Sequence, residues 1–310
     1  MLDHASKAFF HLLAKSRILK TLTSRYGMRR SGGFARRFIA GETPAEAVEA
    51  ARAVESRGFL VTLDYLGESV RSLAEADQAT REYLKVAEAI TVAGVERNLS
   101  IKLTQLGLDV DRATAVDNLR RIFERAEGFF VRIDMENSPY TDVTLDIFET
   151  LWRQGYHEMG VVLQADLYRS EHDLRRINAL GARVRLVKGA YKEKKAIAYP
   201  KKADVDAAYL RMMEVLLREG RYPAIATHDP AMIAAAQRFA IQHGVAKDGF
   251  EFQMLYGIRR DLQQALINDG YRVRIYIPFG RQWFPYFMRR LGERPANVFF
   301  VLRGILGERS

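Results

Sequence analysis

Between residues 59 and 280 the chain repeats one pattern eight times: a short apolar, β-branched or aromatic run, then a longer segment of helical period. The runs cover 59–66, 99–106, 129–136, 159–166, 184–191, 223–229, 250–257 and 272–280. Runs of this length between helical segments read as strands. Strands that alternate with helices are parallel, because each return crosses the sheet through a helix. Eight such units point to a closed sheet, so the expected fold class is α/β, a (β/α)8 TIM-type barrel. Apolar faces place helices over 118–125, 145–153, 205–218 and 232–241, among others. Asp229 before Pro230 reads as an N-cap with Pro at the first helical position. Ser170 with Asp173 resembles a capping box in which Asp replaces the usual Glu or Gln. Residues 1–57 fall outside the repeat and read as helices over 6–24, 33–39 and 44–56. The expected division is an N-terminal helical arm, 1–57, and a barrel, 58–310.

The net charge of +10 is concentrated in the arm. Residues 1–41 carry nine basic side chains (Lys7, Lys15, Arg17, Lys20, Arg25, Arg29, Arg30, Arg36, Arg37) against one acid, Asp3. The rest of the chain is nearly balanced, with 39 basic and 37 acidic residues, which argues against a nucleic-acid groove spread over the fold. The arm fits either an anionic membrane surface or a solvated helix packed on the body. Its short apolar stretch, 8–14, contains His11 and does not suit a secretory signal, while its Arg-rich, acid-poor character is similar to a transit peptide. No run of about 18 uncharged apolar residues suggests a membrane-spanning helix. A cytoplasmic protein, peripheral on the inner face of the membrane at most, is the expectation.

Barrels of this kind work at the C-terminal ends of their strands, and here those ends are polar. They offer Lys102, Thr104 and Gln105; Arg132, Asp134, Met135 and Glu136; Gln164 and Asp166; Arg185, Lys188 and Tyr191; Thr227, His228 and Asp229; Glu251 and Gln253; and Tyr276. Strand alternation sends some inward and others toward the helices. Several chemistries are excluded. With no cysteine there is no thiolate metal site, iron–sulfur cluster or cysteine nucleophile. No G-x-G-x-x-G, Walker or H-E-x-x-H pattern occurs, so neither a Rossmann site, a P-loop nor a zincin is supported, and no metal is expected. Among six histidines only His228 sits at a strand end, where a lone histidine is more often structural than catalytic. Asp134, Glu136 and Asp166 leave a carboxylate-based barrel hydrolase open as an alternative. A basic binding protein, resting on residues 1–41 alone, is a third.

The last segment is unusual. After the eighth strand come aromatics at 283, 284, 286 and 287, then Arg289, Arg290 and Glu293 within helical pairing distance. So many aromatics are hard to bury on one face of a surface helix. A final helix lying over the barrel mouth would bury them and bring both arginines to a ligand carboxylate.

Taken together, IKLT (101–104), RIDME (132–136), VLQ (162–164), RLVKGAY (185–191), ATHD (226–229), FEFQMLYG (250–257), RIYIP (274–278) and YFMRRLGE (286–293) resemble the bacterial proline dehydrogenases. They run in order from the second strand to the final helix. The resemblance implies FAD held without a Rossmann fingerprint. It implies that Arg185 lies near the flavin ring and that Asp134 organises the substrate end of the site, with Lys102 nearby. Met135, Gln164, Lys188, Gly189, Ala190, Tyr191, Thr227 and His228 would line the cofactor. Leu255, Tyr276 and Tyr286 would pack on the proline ring, and Arg289 and Arg290 would bind its carboxylate, oriented by Glu293. The implied reaction converts L-proline to Δ1-pyrroline-5-carboxylate and passes electrons to a membrane quinone. A separate pyrroline-5-carboxylate dehydrogenase would act downstream.

Overall fold

The computed structural model describes Met28 and residues 33–293, without the side chains of 34 and 291–293. Most of the basic arm, including the expected helix over 6–24, therefore lies outside the described residues, as does the side chain of Glu293. Eight parallel strands close into one barrel in chain order: β1 Leu60–Tyr65, β2 Asn98–Ile101, β3 Phe130–Ile133, β4 Met159–Gln164, β5 Arg183–Val187, β6 Ala224–Ala226, β7 Glu251–Leu255 and β8 Arg272–Phe279. The ring closes with Leu60–Tyr65 in register beside Arg274–Phe279. The helices are α1 Pro44–Glu55, α2 Leu73–Ala93, α3 Arg112–Arg125, α4 Thr141–Arg153, α5 Ser170–Ala179, α6 Lys202–Glu219, α7 Pro230–His243, α8 Arg260–Asn268 and α9 Trp283–Glu293.

Alternation along the strands sorts the barrel into two chemistries. Val61, Leu63, Leu99, Ile101, Val131 and Ile133 are fully buried in the main apolar core, and their counterparts on the other strands continue it. The intervening positions, among them Ser100, Lys102, Arg132, Arg185, Gln253 and Arg274, hydrogen-bond to other strands and fill the lumen with buried polar groups. At the N-terminal end Phe130 lies between Arg132 and Arg183, at 4.8 and 4.9 Å from their guanidinium carbons, and Tyr222 lies against Arg183 and Arg272. This cation–π ladder plugs the floor.

Local chemistry sets the helix ends. Thr43 and Glu46 form a reciprocal capping box on α1, with Pro44 at its first position. Asp229 caps α7 by accepting from the Ala231 N–H, and Pro230 opens the helix as expected. The capping box expected at Ser170 does not form. Ser170 is the first residue of α5 and donates to the Gln164 carbonyl, while Asp173 is held by Arg169. The helix expected over 33–39 is one 3-10 turn, Phe34–Arg37, with no side-chain cap after Gly33.

Two elements depart from a plain eightfold repeat. α1 packs against β1 and β8, the place in the outer ring that a helix after β8 would take. The segment just before α1 is tied to the end of β8: the Ala40 N–H donates to the Pro278 carbonyl, and the Gly280 N–H to that of Gly41, both at 2.9 Å. α9 instead crosses the mouth. Trp283, Phe284, Phe287 and Met288 form a second apolar cluster with Met28, Ala35, Phe38, Ile39, Leu66 and Ile258, against which Leu255 and Tyr286 pack. The 3-10 turn comes so close to the β7–α8 loop that a Cβ on Gly257 would lie 1.7 Å from the Arg37 carbonyl oxygen. No helix among the described residues is long and apolar enough to cross a membrane.

Candidate active site

Asp134, just beyond the end of β3, is the acceptor on which the mouth of the lumen converges. Arg185 donates to its Oδ1 at 2.7 Å and the Tyr276 hydroxyl to its Oδ2 at 2.8 Å. Lys102 Nζ lies 3.4 Å from the same Oδ2 and 2.9 Å from Asp64 Oδ1. Burial is the largest influence on Lys102 and opposes its charge, but Asp64, Tyr276 and Asp134 together outweigh it and hold the ammonium well above its ordinary range. Burial pushes the Asp64 carboxyl up, against the pull of Lys102. Tyr276 is raised too, first by burial and then by Asp134, so its phenol stays a neutral donor.

Arg185 is tethered in three directions. Besides Asp134 it donates through Nε to Gln253 Oε1 at 2.5 Å and through Nη2 to Ser100 Oγ at 3.0 Å. Its guanidinium also faces the Tyr276 ring, 5.3 Å from the centroid. These anchors come from β2, β3, β7 and β8, so barrel closure itself creates the arrangement.

On one side of this cluster the loops after β3, β4 and β5 meet. Glu136 accepts from the Thr104 N–H at 3.2 Å and hydroxyl at 2.6 Å, yet burial carries its carboxyl up to about 7. Gln164 donates to the Glu136 carbonyl at 3.2 Å, and its buried Oε1 has no hydrogen-bond partner. Asp166 is also raised to about 7, by burial and then by Glu193. Gly189, at φ +115°, passes so close that a Cβ would lie 2.1 Å from the Asp166 carboxylate. Only glycine fits there. Lys188 turns to Asp206 and Asp229, at 2.5 and 2.8 Å. His228 Nε2 accepts from the Leu255 N–H at 2.8 Å, which leaves the ring proton to Nδ1. Thr227 Oγ1 accepts from the Asp229 N–H, Met135 is buried in the main core, and Ala190 is exposed.

Above lies α9. Arg289 pairs with Glu68 at 3.1 Å and its guanidinium faces the Tyr191 ring at 5.8 Å. Arg290 faces the Tyr286 ring at 5.2 Å. The structure thus brings Lys102, Asp134, Arg185 and Tyr276 into direct contact, and places Leu255, Tyr286, Arg289 and Arg290 on or against the helix across the mouth.

Sequence reasoning missed Asp64, Glu68 and Ser100 as members of this site, and offered Gln253 only as one polar strand-end residue among many, without a role. Asp64 carried a signal: it is the one acid in LVTLDY, in phase with buried Thr62. Ser100, and the pairing of Gln253 with Arg185, could be found only from the meeting of distant strands.

An ion-paired lumen that opens under an arginine-bearing helix defines a (β/α)8-barrel enzyme working at its strand C-termini. The sequence profile of the proline dehydrogenase family matches residues 47–303. Proline dehydrogenase of Deinococcus radiodurans is 45% identical over 278 residues, 88% of this chain and 90% of that one. Proline dehydrogenase 1 of Bacillus subtilis is 42% identical over 299 residues, 96% of this chain and 98% of that one. The crystal structure of proline utilization A from Bdellovibrio bacteriovorus superposes with a TM-score of 0.78 at 29% identity, over 84% of this chain and 32% of that much longer one. This chain belongs to the proline dehydrogenase family and is an oxidoreductase.

Proposed function

We propose that the barrel, 58–310, preceded by the N-terminal arm 1–57, oxidises L-proline to Δ1-pyrroline-5-carboxylate with FAD at its mouth and passes the electrons to a membrane quinone. The observation that carries this reading is the Lys102–Asp134–Arg185–Tyr276 cluster lying beneath a helix that bears Arg289 and Arg290. A carboxylate and a saturated ring need such surroundings: two guanidinium groups on one side, apolar walls on the other. Arg289 and Arg290 would grip the carboxylate, with Glu293 orienting the pair. Tyr276, Leu255 and Tyr286 would pack on the ring, while Lys102 and Asp134, in contact with each other, would form the base of the site.

The residues present fit a flavin. Gln164, at the C-terminal end of β4, holds a buried amide oxygen without a hydrogen-bond partner, and Gly189 lets the chain after β5 pass close over Asp166. Arg185 supplies a fixed cation where negative charge develops. Met135, Lys188, Ala190, Tyr191, Thr227 and His228 would complete its lining. A bound flavin would supply a two-electron acceptor for the hydride lost from the ring carbon beside nitrogen, and the nitrogen would give up a proton as the C=N bond forms. The chain's own part is to bind, orient and exclude water. The hydrolase alternative gains nothing: Asp134 is occupied by Arg185, Tyr276 and Lys102, and Glu136 by Thr104.

The basic arm suits peripheral contact with an anionic membrane, where a quinone would be met, and the product would pass to a separate dehydrogenase. The test is an absorbance spectrum of purified protein before and after anaerobic L-proline, with the released cofactor identified. Bleaching of bound FAD is expected. Stoichiometric FMN, or protein that cannot be reconstituted with any flavin, would overturn the cofactor assignment, and an FAD spectrum unmoved by proline would overturn the substrate.

A further inference from the structure

Gln253 holds a position in the lumen for which the reading above has no use. It lies on β7, 4% exposed, with its amide between two ionised side chains. Its Oε1 accepts from Arg185 Nε and its Nε2 donates to Glu251 Oε1. Turning the amide over would leave its shape unchanged, but would set its NH2 against the Arg185 N–H and its oxygen against the Glu251 carboxylate. Glu251 therefore decides which end faces Arg185.

Glu251 is itself fixed. Arg274 donates to both its oxygens, at 2.8 and 3.0 Å, while Arg274 Nη1 donates to the Val61 carbonyl and pairs with Glu96 at 2.7 Å. Burial pushes the Glu251 carboxyl up, but Arg274, with Gln253 and Arg132, more than offsets this and holds it below the usual range, so the group stays ionised. A chain of contacts thus runs from the lower lumen, through Arg274, Glu251 and Gln253, to the guanidinium at the mouth.

The choice of an amide has an electrostatic consequence. Asp134 already balances Arg185. A second carboxylate in direct contact would quench the field at the mouth, whereas the amide passes on orientation and keeps the charge of Glu251 one side chain away. Asp134 and Ser100 hold the two terminal nitrogens, and among the described residues Gln253 alone holds Nε, which fixes the plane of the group.

We propose that Gln253, oriented by Glu251 and Arg274, is a positioning residue for the oxidation: it sets the orientation of Arg185 so that its charge stays at the reacting ring. The proposal rests on the role given to Arg185 above.

The test compares Gln253→Met, Arg185→Met and the double variant as flavin-loaded holoenzymes. It reads the limiting rate of flavin bleaching by anaerobic L-proline, the KM for proline, and the midpoint potential of the bound flavin. Gln253→Met should slow bleaching about tenfold, the loss of one hydrogen bond to a charged group. It should lower the potential and leave KM within about twofold, since the substrate carboxylate is held from α9. In the Arg185→Met background it should cost less than about twofold further. Gln253→Glu is the conservative partner. Its introduced carboxyl would accept from Nε and share one proton with Glu251, so that no second full charge stands beside Arg185 while that proton is bound. Its bleaching rate should stay within about threefold of the parent at low pH and fall as the proton is lost, a profile that a purely structural role would not give.

A parental rate and potential in Gln253→Met overturns the proposal. So does a loss that multiplies in the Arg185→Met background. Should Gln253→Met fail to fold, a pH-independent rate in Gln253→Glu overturns it. A parental rate in Arg185→Met removes the reading of the site and the proposal with it; the expected loss there beside an unchanged Gln253→Met removes the proposal alone.

Discussion

Replacing Asp134 by Asn alters one atom type and nearly no volume, yet no orientation of the new amide can suit its neighbours. Asp134 Oδ1 accepts from Arg185 at 2.7 Å, while Oδ2 accepts from Tyr276 at 2.8 Å and faces Lys102 at 3.4 Å. With the amide oxygen toward Arg185, the NH2 faces the Lys102 ammonium and takes from Tyr276 the acceptor of its hydroxyl; turned over, it meets the guanidinium. A lost hydrogen bond to a charged group costs about 1.5–3 kcal/mol, and an uncompensated buried charge about 3–5 kcal/mol. The lower range applies, because Lys102 keeps Asp64 at 2.9 Å and Arg185 keeps Gln253 and Ser100. The expected loss of stability is therefore about 2–3 kcal/mol, read as a lower urea midpoint at unchanged m-value. The rate effect is separate. Arg185 loses its anchor nearest the mouth, and mispositioning one electrostatic group costs on the order of a hundredfold. Single-turnover bleaching of bound flavin by saturating L-proline should fall by that amount, with KM within about threefold. A parental limiting rate in folded, flavin-loaded Asp134→Asn would refute this reasoning. A large rise in KM at an unchanged rate would move Asp134 from chemistry to substrate binding.

Arg289→Met and Arg290→Met should each lower kcat/KM for proline by about 30-fold or more through KM while flavin stays bound, and Arg290→Lys should not restore it, since an ammonium cannot reproduce the guanidinium fork. Parental kcat/KM in both Met variants would make the pair a surface feature. Glu68→Gln should act in the opposite sense but weakly: its pair with Arg289 joins side chains 28% and 36% exposed, such pairs are worth about 0.2–1 kcal/mol, and removing a competitor for Arg289 should lower KM up to about fivefold. For Glu136, a folded value of about 7 above the ordinary 4.5 means stability that is full below pH 4.5 and lost as pH rises to 7. Urea unfolding should show this loss, about 3 kcal/mol at most, and Glu136→Gln should flatten it; an unchanged slope in the variant would assign the pH dependence elsewhere. Removal of residues 1–32 should weaken sedimentation with anionic liposomes at low salt, and equal binding by folded truncated protein would leave the arm a structural role only.

How much of this could be read from the chain depends on the range of each interaction. All eight strands were visible because burial on the helix side demands Val, Ile, Leu or Phe at every second position, a local signal. Their ends were overread at 102–106 and 134–136, where the sequence still looks strand-like but the chain has left the ladder to supply Lys102, Thr104, Asp134 and Glu136. The expected cap at Ser170 failed because Ser170 found the Gln164 carbonyl, which a short sequence window cannot rank against a cap. The partners within the site were the least legible. Lys102 meets Asp64 across 38 residues, Arg185 meets Ser100 across 85, and Tyr276 meets Asp134 across 142. Residue type suggests that each needs a partner; only closure of the ring selects which.

The final helix shows the opposite case, in which failure to satisfy a local rule carried the information. Aromatics at 283, 284, 286 and 287 wrap too far around a helix to face one core, and so require cover on a second side. That cover comes from the segment before α1. Phe38 lies 6.3 Å from Phe287 between ring centroids, Trp283 packs edge-on to Phe287 at 5.8 Å, and the Trp283 N–H donates to Glu42 at 2.9 Å. The same segment is fixed to the barrel rim through Ala40 and Gly41. α1 fills the place beside β8 that a last barrel helix would take, which leaves α9 to lie across the mouth and carry its arginines there. The residues that precede the first strand therefore determine where the last helix can go, and with it the position of the two arginines assigned to the substrate carboxylate.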